Sequence, residues 1–400
     1  MVRPSVLGMR ILHTSDWHLG RSFHREGMLT HQAAFVDHLL SVVESESVDL
    51  VVVSGDVYDR ALPQVDAVRL ASEALRRLAA SRAQVVLTSG NHDSAHRLGF
   101  GSELIDAAGV FIRTDPARVA APILLEDAHG PVAIYGVPYL DPDTAREAWE
   151  LSSRSHEAAM TEALRRVRAD LRGRSARSVV LAHAFVAGAE PSESERDISV
   201  GGVSIVPTSL FDGFSYAALG HLHGRHTLTE TVRYSGSPLA YSFSEATQTK
   251  GSWLVDLGPD GVESAEFVEA PVPRRLARLR GDLETLLTDP ALAAHEDAWV
   301  QATLTDTVRP TQAMERLRRR FPHTLVLAFE STAPVVGRMP LPESGVRRDH
   351  DLVRDFVAEL RGSAPSDDEI ALLDLAVDAC CADAQADPRP SEAELAGVLF

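Results

Sequence analysis

The sequence has few of the features expected of a secreted or membrane-bound protein. Its 400 residues include only two cysteines, Cys380 and Cys381, whose adjacency strains a mutual disulfide and provides no framework of bridges. No segment approaches the roughly 18 uninterrupted apolar residues of a membrane span. A short apolar run near the N-terminus leads straight into polar residues, without a small-residue cleavage site. These absences predict a cytoplasmic protein that does not insert in a membrane.

Positive charge is also scarce. The chain has 39 Lys and Arg residues against 57 Asp and Glu residues, a formal net charge of -18. Such a protein repels polyanions at long range, which argues against one that grips DNA unaided. Arginines are dense in residues 165–177, 274–280 and 316–320, but runs of this kind are more typical of solvated helix faces than of binding sites. A nucleic-acid function would therefore need a partner that supplies most of the attraction.

Short apolar runs alternate with helical patterns over the first 110 residues. Strands are predicted at residues 10–13, 49–54 and 84–89, and helices around 28–47 and 64–81. Further strands are predicted at 110–113, 122–125, 132–135, 178–182, 215–219, 225–234 and 252–257, and a helix at 156–171. Strands that alternate with helices pair in parallel and form buried sheets. The pattern predicts an α/β fold.

Two proline-rich segments divide the chain. The first lies at residues 270–273 and the second at 334–344. Between them we predict a small α+β unit with helices at 281–288 and 310–320 and strands at 299–305 and 324–329. The predicted domains are residues 1–270, 271–340 and 341–400.

The last of these domains has two amphipathic helix patterns and an acidic tail. One apolar stripe is formed by Leu352, Val353, Phe356, Val357 and Leu360. A capping box at 366–369 starts the second helix. Its apolar stripe is formed by Ile370, Leu373 and Val377. Two hypotheses fit these stripes: packing on the chain's own α+β unit, or docking in the groove of a partner.

Five strand-to-loop junctions contain side chains that are hard or borderline ligands for metal ions. They contain Asp16 with His18, Asp56, Asn91 with His92 and Asp93, His183, and His221 with His223. An apolar run precedes each one, which places all five at the carboxyl ends of strands, where open α/β sheets form their ligand crevice. Residues at i and i+2 of extended chain point to the same side, so Asp16 with His18, and His221 with His223, can each aim two groups at one volume.

Four imidazoles, two carboxylates and one carboxamide form a mixed nitrogen and oxygen set. Such a set suits manganese, iron or zinc better than magnesium or calcium. Two divalent cations held by Asp16 and Asp56 would keep about two positive charges, which favours a phosphate substrate. The residues alone therefore lead to phosphate-ester hydrolysis and no further.

The ordered motifs DxH, GD, GNHD, H and GHxH, spanning about residues 11–225, resemble the calcineurin-like metallophosphoesterase superfamily. The resemblance implies a β-sandwich flanked by helices (αββα), followed by the small α+β cap domain and C-terminal partner-binding helices. It implies that one cation is held by Asp16, His18, Asp56 and His223, and the other by Asp56, Asn91, His183 and His221, with Asp56 bridging. His92, beside Asn91, is the predicted catalytic residue, which would donate a proton or a hydrogen bond to the phosphate or its departing oxygen. The alternative interpretation is an exposed histidine in a turn. Asp93 either orients His92 or caps the turn, and His226 could line the site.

The segments 9–20, 234–238, 241–245 and 250–251 are similar to the nuclease subunits of bacterial SbcCD complexes. This closer resemblance implies two Mn²⁺ ions and a DNA substrate. It implies ATP-dependent double-strand exonuclease, single-strand endonuclease and hairpin-opening activities in DNA repair, recombination and replication. It further implies the coiled-coil ATPase SbcC as partner, in a heterotetramer of two nuclease and two ATPase chains, and a self-dimer formed through the helix near 64–81 or another surface.

Three other functions compete with the nuclease as explanations of these motifs. The segment Gly55 to Arg60 resembles the second motif of protein Ser/Thr phosphatases, but Ala61 replaces the glycine expected there. Small-nucleotide phosphodiesterases are the alternative, because bare ligands do not specify substrate size. A catalytically inert scaffold is disfavoured, since it would tolerate the loss of His92 or any ligand.

Overall fold

The computed structural model describes residues 8–195, 205–331 and 349–386. The strands are β1 (Met9–Thr14), β2 (Ser22–Phe23), β3 (Glu26–Gly27), β4 (Leu50–Ser54), β5 (Gln84–Thr88), β6 (Val110–Arg113), β7 (Ile123–Asp127), β8 (Gly130–Val137), β9 (Arg177–His183), β10 (Tyr216–Gly220), β11 (His226–Thr227), β12 (Val232–Tyr234), β13 (Gly251–Gly258), β14 (Gly261–Glu269), β15 (Leu276–Gly281), β16 (Trp299–Leu304) and β17 (Thr324–Phe329). The helices are α1 (Leu29–Ser45), α2 (Val65–Ala79), α3 (Ala95–Leu98), α4 (Ser102–Ile105), α5 (Pro142–Trp149), α6 (His156–Leu171), α7 (Leu283–Thr288), α8 (Ala313–Arg320), α9 (Asp349–Arg361) and α10 (Asp367–Ala386).

Two six-stranded sheets form the centre of the larger unit. The first has the order β14-β13-β1-β4-β5-β6 and the second β11-β12-β10-β9-β8-β7. In the first, β1, β4, β5 and β6 are parallel, and β13 and β14 add an antiparallel edge. In the second, β8, β9, β10 and β12 are parallel, with antiparallel strands at both edges. The parallel pairing predicted from strand-helix alternation is confirmed.

The sheets pack face to face, with helices on the outer faces. Ile11 and Val52 of the first sheet share one apolar cluster with Val179 and Tyr216 of the second. The outer face of the first sheet packs against α1 and α2, and that of the second against α6. Burial of side chains on both faces explains why the central strands are continuous apolar runs. The result is the four-layer αββα arrangement that the family resemblance implied.

Several elements differ from the sequence predictions. Residues 274–280, interpreted as a solvated helix face, include most of β15, in which Ala277 and Leu279 are buried and Arg278 and Arg280 exposed. This alternation is a strand signal that the arginine density obscured. Strand β14 was missed because it is an edge strand with charged and half-buried residues. Helix α5 was missed although Asp141 caps it and Pro142 occupies its first position.

The described chain divides into two compact units. One contains residues up to Arg278 with Leu292–Gln301 and Phe321–Val326, and the other contains Leu279–Ala291, Ala302–Arg320 and the residues from Leu327 onward. A three-stranded sheet has the order β15-β16-β17. Helices α7 and α8 contact each other within the second unit, and so do α9 and α10. The predicted domain boundaries at 270 and 340 remain predictions, and the segment 334–344 and the end of the acidic tail lie outside the described residues.

The second C-terminal helix, α10, begins at the capping box that the sequence predicted. Ser366 and Glu369 form the capping box, with the Ser366 backbone N–H 2.7 Å from Glu369 Oε2 and the Glu369 N–H 3.4 Å from Ser366 Oγ. An ion pair between Arg354 and Asp374, 2.5 Å apart, ties α9 to α10. On α9, Phe356 is 60% and Leu360 72% exposed. Nowhere in the described ranges is a helix both long and apolar enough to cross a bilayer.

Candidate metal centre

The predicted ligands lie at the carboxyl ends of five strands in the two sheets. Asp16 follows β1, Asp56 follows β4 and Asn91 follows β5, all in the first sheet. His183 ends β9 and His221 follows β10 in the second sheet. Because the sheets pack face to face, these strand ends meet along one edge of the sandwich. The parallel topology therefore places the motifs together although they span more than 200 residues.

The backbone around the ligands adopts conformations that side chains rarely tolerate. Asp16, His18, Asp56 and His221 have φ values of 52°, 45°, 48° and 105°. Left-handed backbone costs energy in residues other than glycine and persists where surrounding structure enforces it, commonly at functional sites. Here two backbone hydrogen bonds join the loops after β1 and β4. The Asp16 N–H donates to the Gly55 carbonyl at 3.1 Å, and the His18 N–H donates to the Asp56 carbonyl at 3.0 Å.

Two glycines leave room for the ligands. A Cβ on Gly90 would lie 2.1 Å from Asp56 Oδ1, and a Cβ on Gly220 would lie 1.8 Å from the Ser54 carbonyl oxygen. Neither position could accept a side chain without displacing the loop that carries Asp56. Close approach of the neighbouring loop therefore requires glycine at both positions.

All seven predicted ligands come together in two adjoining groups. His18 Nε2 lies 3.0 Å from His223 Nε2, and Asp16, His18 and His223 offer ligand atoms within 4.8 Å of one another. Asn91 Oδ1 lies 2.9 Å from His183 Nε2 and 3.2 Å from His221 Nδ1.

Asp56 lies between these groups. Its Oδ2 is 3.6 Å from His18 Nε2 and 3.5 Å from His183 Nε2. One carboxylate therefore faces both clusters, which is the position required of a shared ligand.

The donors fit a pair of divalent cations. Two nitrogens that bind one ion at about 2.1 Å lie roughly 3.0 Å apart in octahedral and roughly 3.4 Å apart in tetrahedral geometry. The facing Nε2 atoms of His18 and His223 have the shorter of these separations, and without a proton or cation between them their lone pairs would repel. Carboxylate, carboxamide and imidazole donors together suit manganese, iron or zinc.

Opposite charges keep Asp56 ionised in spite of its burial. Burial acts against the ionised carboxylate, but the surrounding imidazoles, His183 first, outweigh it and hold the pKa of Asp56 well below its usual range. Burial likewise opposes charge on His183, but Asp56 raises the pKa of His183 to about 9. Burial lowers the pKa of His18 and of His221. A cation must displace the proton of His183, so metal binding is expected to release protons.

Asp16 is held differently. Burial raises its pKa to about 6, and the neighbouring imidazoles of His183 and His223 oppose the rise. The carboxylate accepts the His221 backbone N–H at 3.0 Å and the Ser15 hydroxyl at 2.5 Å. These bonds fix the carboxylate and link the loop after β1 to the loop after β10.

His92 is a buried residue of the site. Its Nδ1 lies 2.7 Å from the Asp59 carbonyl oxygen, its Nε2 lies 4.0 Å from Asp56 Oδ2, and only 7% of the residue is exposed. Because a carbonyl only accepts, Nδ1 carries a proton, and Nε2 is the nitrogen that faces the ligands. The exposed-turn interpretation of this histidine is excluded.

Asp93 caps the turn. Its carboxylate accepts the backbone N–H groups of Val57, Tyr58 and Gly90 at 3.0, 2.8 and 2.9 Å. Burial and the nearby charge of Asp56 raise the pKa of Asp93 to about 7 against these donors. Of the two roles open in the sequence, these bonds support the second: Asp93 ties the loop after β4 to the loop after β5.

The site also contains residues for which the sequence pattern predicts no role. Asp59 Oδ1 lies 3.8 Å from His18 Nδ1 and 3.9 Å from His92 Nδ1. Ser194, Glu195, Glu245 and Lys250 surround His223. Of these residues, only Glu245 and Lys250 were indicated by the sequence, because they lie in the segments that resemble SbcCD nuclease subunits. His226, on β11, is half-buried with its ring 6.1 Å from that of Tyr234, and no predicted ligand is bonded to it.

Several solved structures are similar to this chain at low sequence identity. Protein TT1561 of Thermus thermophilus is 13% identical over 65% of this chain and 99% of its own, with a TM-score of 0.39. A dimetal phosphatase from Danio rerio is 14% identical over 65% and 97%, with a TM-score of 0.40. The calcineurin-like phosphoesterase YfkN from Bacillus subtilis is 12% identical over 65% and 91%, with a TM-score of 0.32. At these scores the fold assignment depends on the sheets described above and on family matches.

Two protein-family models match the sequence. The type 5 capsule protein repressor C-terminal domain, SbcD_C, matches residues 272–349, and it supports the resemblance to the nuclease subunit of SbcCD. The calcineurin-like phosphoesterase model matches residues 9–225, more than half of the chain, and includes every predicted ligand. The chain belongs to the calcineurin-like phosphoesterase family.

Proposed function

We propose that this protein is a metal-dependent DNA nuclease, the phosphodiester-cleaving subunit of an SbcCD-type complex. Family membership makes it a hydrolase of phosphate esters. The observation that carries the proposal of a two-cation site is Asp56, whose Oδ2 lies 3.6 and 3.5 Å from imidazole nitrogens of the two groups. A carboxylate between two such groups suits a pair of cations that act on one phosphate.

In this proposal the first cation is held by Asp16, His18, Asp56 and His223, and the second by Asp56, Asn91, His183 and His221. The mixed nitrogen and oxygen donors suit manganese, iron or zinc, and the resemblance to SbcCD nuclease subunits makes Mn²⁺ the proposed ion. When bound, the cations would supply Lewis acidity to the phosphate and lower the pKa of a bound water.

His92 is the proposed catalytic acid. Its Nδ1 donates to the Asp59 carbonyl, and its Nε2 lies 4.0 Å from Asp56 Oδ2, on the side of the proposed cations. When protonated, Nε2 would donate to the departing oxygen as the phosphodiester bond breaks. The edge of the His18 ring, 4.6 Å away between ring centroids, limits the rotation of His92.

The SbcD_C match at residues 272–349 supports the DNA substrate and the ATPase partner. A net charge of -18 leaves long-range attraction for DNA to a partner. In this proposal that partner is SbcC, in a complex of two nuclease and two ATPase chains. The chain would act in the cytoplasm, on duplex ends, single strands and hairpins, in repair, recombination and replication.

Exposed apolar residues are available for both proposed protein contacts. On and before α2, Leu62 is 72%, Val65 67% and Val68 42% exposed, which suits the proposed self-dimer. On α9, the exposed Phe356 and Leu360 suit docking to the ATPase. In this proposal the chain divides into a nuclease domain (1–270), a cap domain (271–340) and a partner-binding segment (341–400).

One assay tests the substrate class. The purified chain, with and without the ATPase subunit, is supplied with Mn²⁺ and given hairpin DNA, linear duplex and a small chromogenic phosphodiester. We expect cleavage of the hairpin by the chain and ATP-stimulated duplex digestion only with the partner. Turnover of small nucleotides alone, with no cleavage of any DNA, would identify a small-nucleotide phosphodiesterase instead.

A further inference from the structure

His223 is held on three sides by two segments that carry none of the predicted ligands. Its Nδ1 lies 2.5 Å from Ser194 Oγ, and its backbone N–H donates to Glu195 Oε1 at 2.7 Å. Its carbonyl oxygen accepts from Lys250 Nζ at 2.8 Å. No other predicted ligand has its ring nitrogen on a side-chain hydroxyl within the described ranges.

The bond between Ser194 and His223 has a defined direction. Ser194 Oγ is also hydrogen-bonded to Glu245 Oε1, and the other oxygen of Glu245 is paired with the ammonium of Lys250. A carboxylate paired with an ammonium is ionised and can only accept, so the Ser194 hydroxyl donates to Glu245. The lone pair of Ser194 Oγ then accepts the proton of His223 Nδ1.

This direction decides which tautomer of His223 is present. A proton on Nδ1 leaves Nε2 of the neutral imidazole with its lone pair, and Nε2 is the atom 3.0 Å from His18 Nε2. The chain of bonds from Lys250 through Glu245 and Ser194 ends on the nitrogen opposite the proposed cation. Glu245 is fully buried, which protects the chain of bonds from exchange with water.

We propose that Ser194 and Glu245 are positioning residues that hold His223 in its metal-binding tautomer. The inference rests on the proposed assignment of His223 as a ligand. Without the hydroxyl, the nearest remaining acceptor is Glu245 Oε1, 3.6 Å from Nδ1 and beyond normal hydrogen-bond distance. Both neutral tautomers then become accessible, one of which blocks Nε2 with a proton. Loss of such a partner typically weakens metal binding about 10-fold to 100-fold.

The test uses an isosteric pair, Ser194→Thr and Ser194→Val, which differ only in the hydroxyl. The full chain is labelled with ¹⁵N-histidine, and long-range ¹H–¹⁵N spectra of the metal-free protein report which nitrogen of His223 is protonated. Calorimetry with Mn²⁺ measures affinity on the same samples. Ser244→Ala is the control, because it removes a hydroxyl that accepts the Glu193 N–H at 3.1 Å and holds the same segment without touching His223.

We expect Ser194→Thr and Ser244→Ala to keep the wild-type spectrum, with Nδ1 protonated, and Ser194→Val to show Nε2 protonation and about 10-fold to 100-fold weaker Mn²⁺ binding. If the same ring nitrogen of His223 were protonated in the Thr and Val variants, the proposal would be overturned. The Val spectrum appearing in Ser244→Ala would also overturn it, because segment docking would then be the cause. If the wild-type chain bound no Mn²⁺, the proposed function would fail, while the spectra of metal-free protein would still decide the tautomer.

Discussion

Among single residues, Asp56 is the one on which both proposed cations depend. It is ionised, nearly inaccessible, and close to imidazoles of both ligand groups. Asp16, by contrast, belongs to one proposed group and is fixed by the His221 N–H and the Ser15 hydroxyl. The two carboxylates should therefore respond differently to loss of charge.

We predict that Asp56→Asn loses both cations, whereas Asp16→Asn retains the cation held by Asn91, His183 and His221. The replacement is nearly isosteric, so the difference reports charge and not volume. Metal content after dialysis, measured by mass spectrometry, checks it. Two tightly bound manganese ions in Asp56→Asn would show that this residue does not bridge.

His92 acts, in this account, on the departing oxygen and not on the cations. We predict that His92→Ala keeps the wild-type metal content and loses about 100-fold to 10,000-fold in turnover, the usual contribution of a positioned general acid. Turnover of a chromogenic diester and metal analysis of the same preparation check it. Loss of metal would make His92 a ligand, and unchanged turnover would make it a bystander.

At the scale of elements, the sequence predicts the strand ends that carry the ligands, but it does not predict the residues that hold those ligands in place. The apolar runs before Asp16, Asp56 and His183 identify buried parallel strands, and parallel strands bring their carboxyl ends together, so seven polar residues could be assigned to one site. The partners of His223 could not be found this way. Ser194 lies 29 residues before it in sequence and gains its role only from the folding of its loop.

Helix α9 carries an apolar stripe that the described structure leaves largely exposed. We predict that Phe356→Glu with Leu360→Glu abolishes co-purification with the ATPase subunit but leaves turnover of a small diester unchanged, because these side chains are 60% and 72% exposed and a charge there costs little folding energy. Leu124→Glu, an equal change at a 53% exposed leucine of β7, is the control. A pull-down with tagged ATPase checks it.

Normal complex formation by the double variant would remove α9 from the proposed interface. Aggregation or loss of turnover would instead favour the alternative hypothesis, in which the stripe packs on the chain's own α+β unit. Deletion of residues 346–400 should give the same result as the double variant, with ATP-stimulated duplex cleavage also lost.

At the scale of the whole molecule, a buried histidine joins the two sheets. His13 of β1 lies 2.8 Å from the Tyr216 hydroxyl and 3.1 Å from the Leu219 carbonyl oxygen, both on β10 of the other sheet. Burial lowers the pKa of His13 to about 3. Between pH 6.5 and about 3 the unfolded chain therefore binds a proton at this position that the folded chain excludes.

The folded protein should consequently lose stability as pH falls through this window. We predict that His13→Gln makes the free energy of unfolding of the metal-free chain fall less steeply below pH 6.5, by about 1.4 kcal/mol per pH unit. Urea titrations at about pH 7, 6 and 5 check it. His129→Gln, which removes an exposed histidine, should keep the wild-type slope, and the same slope in His13→Gln would contradict the burial of a neutral ring.

The most direct test of a two-cation phosphodiesterase is the turnover of a chromogenic phosphodiester by metal-stripped chain as Mn²⁺ is added back, with bound metal measured on the same samples. We predict no turnover without metal, and an activity that rises until two ions are bound per chain and then levels off. Turnover that survives complete removal of metal, or a chain with two bound ions that hydrolyses no phosphodiester, would contradict the account.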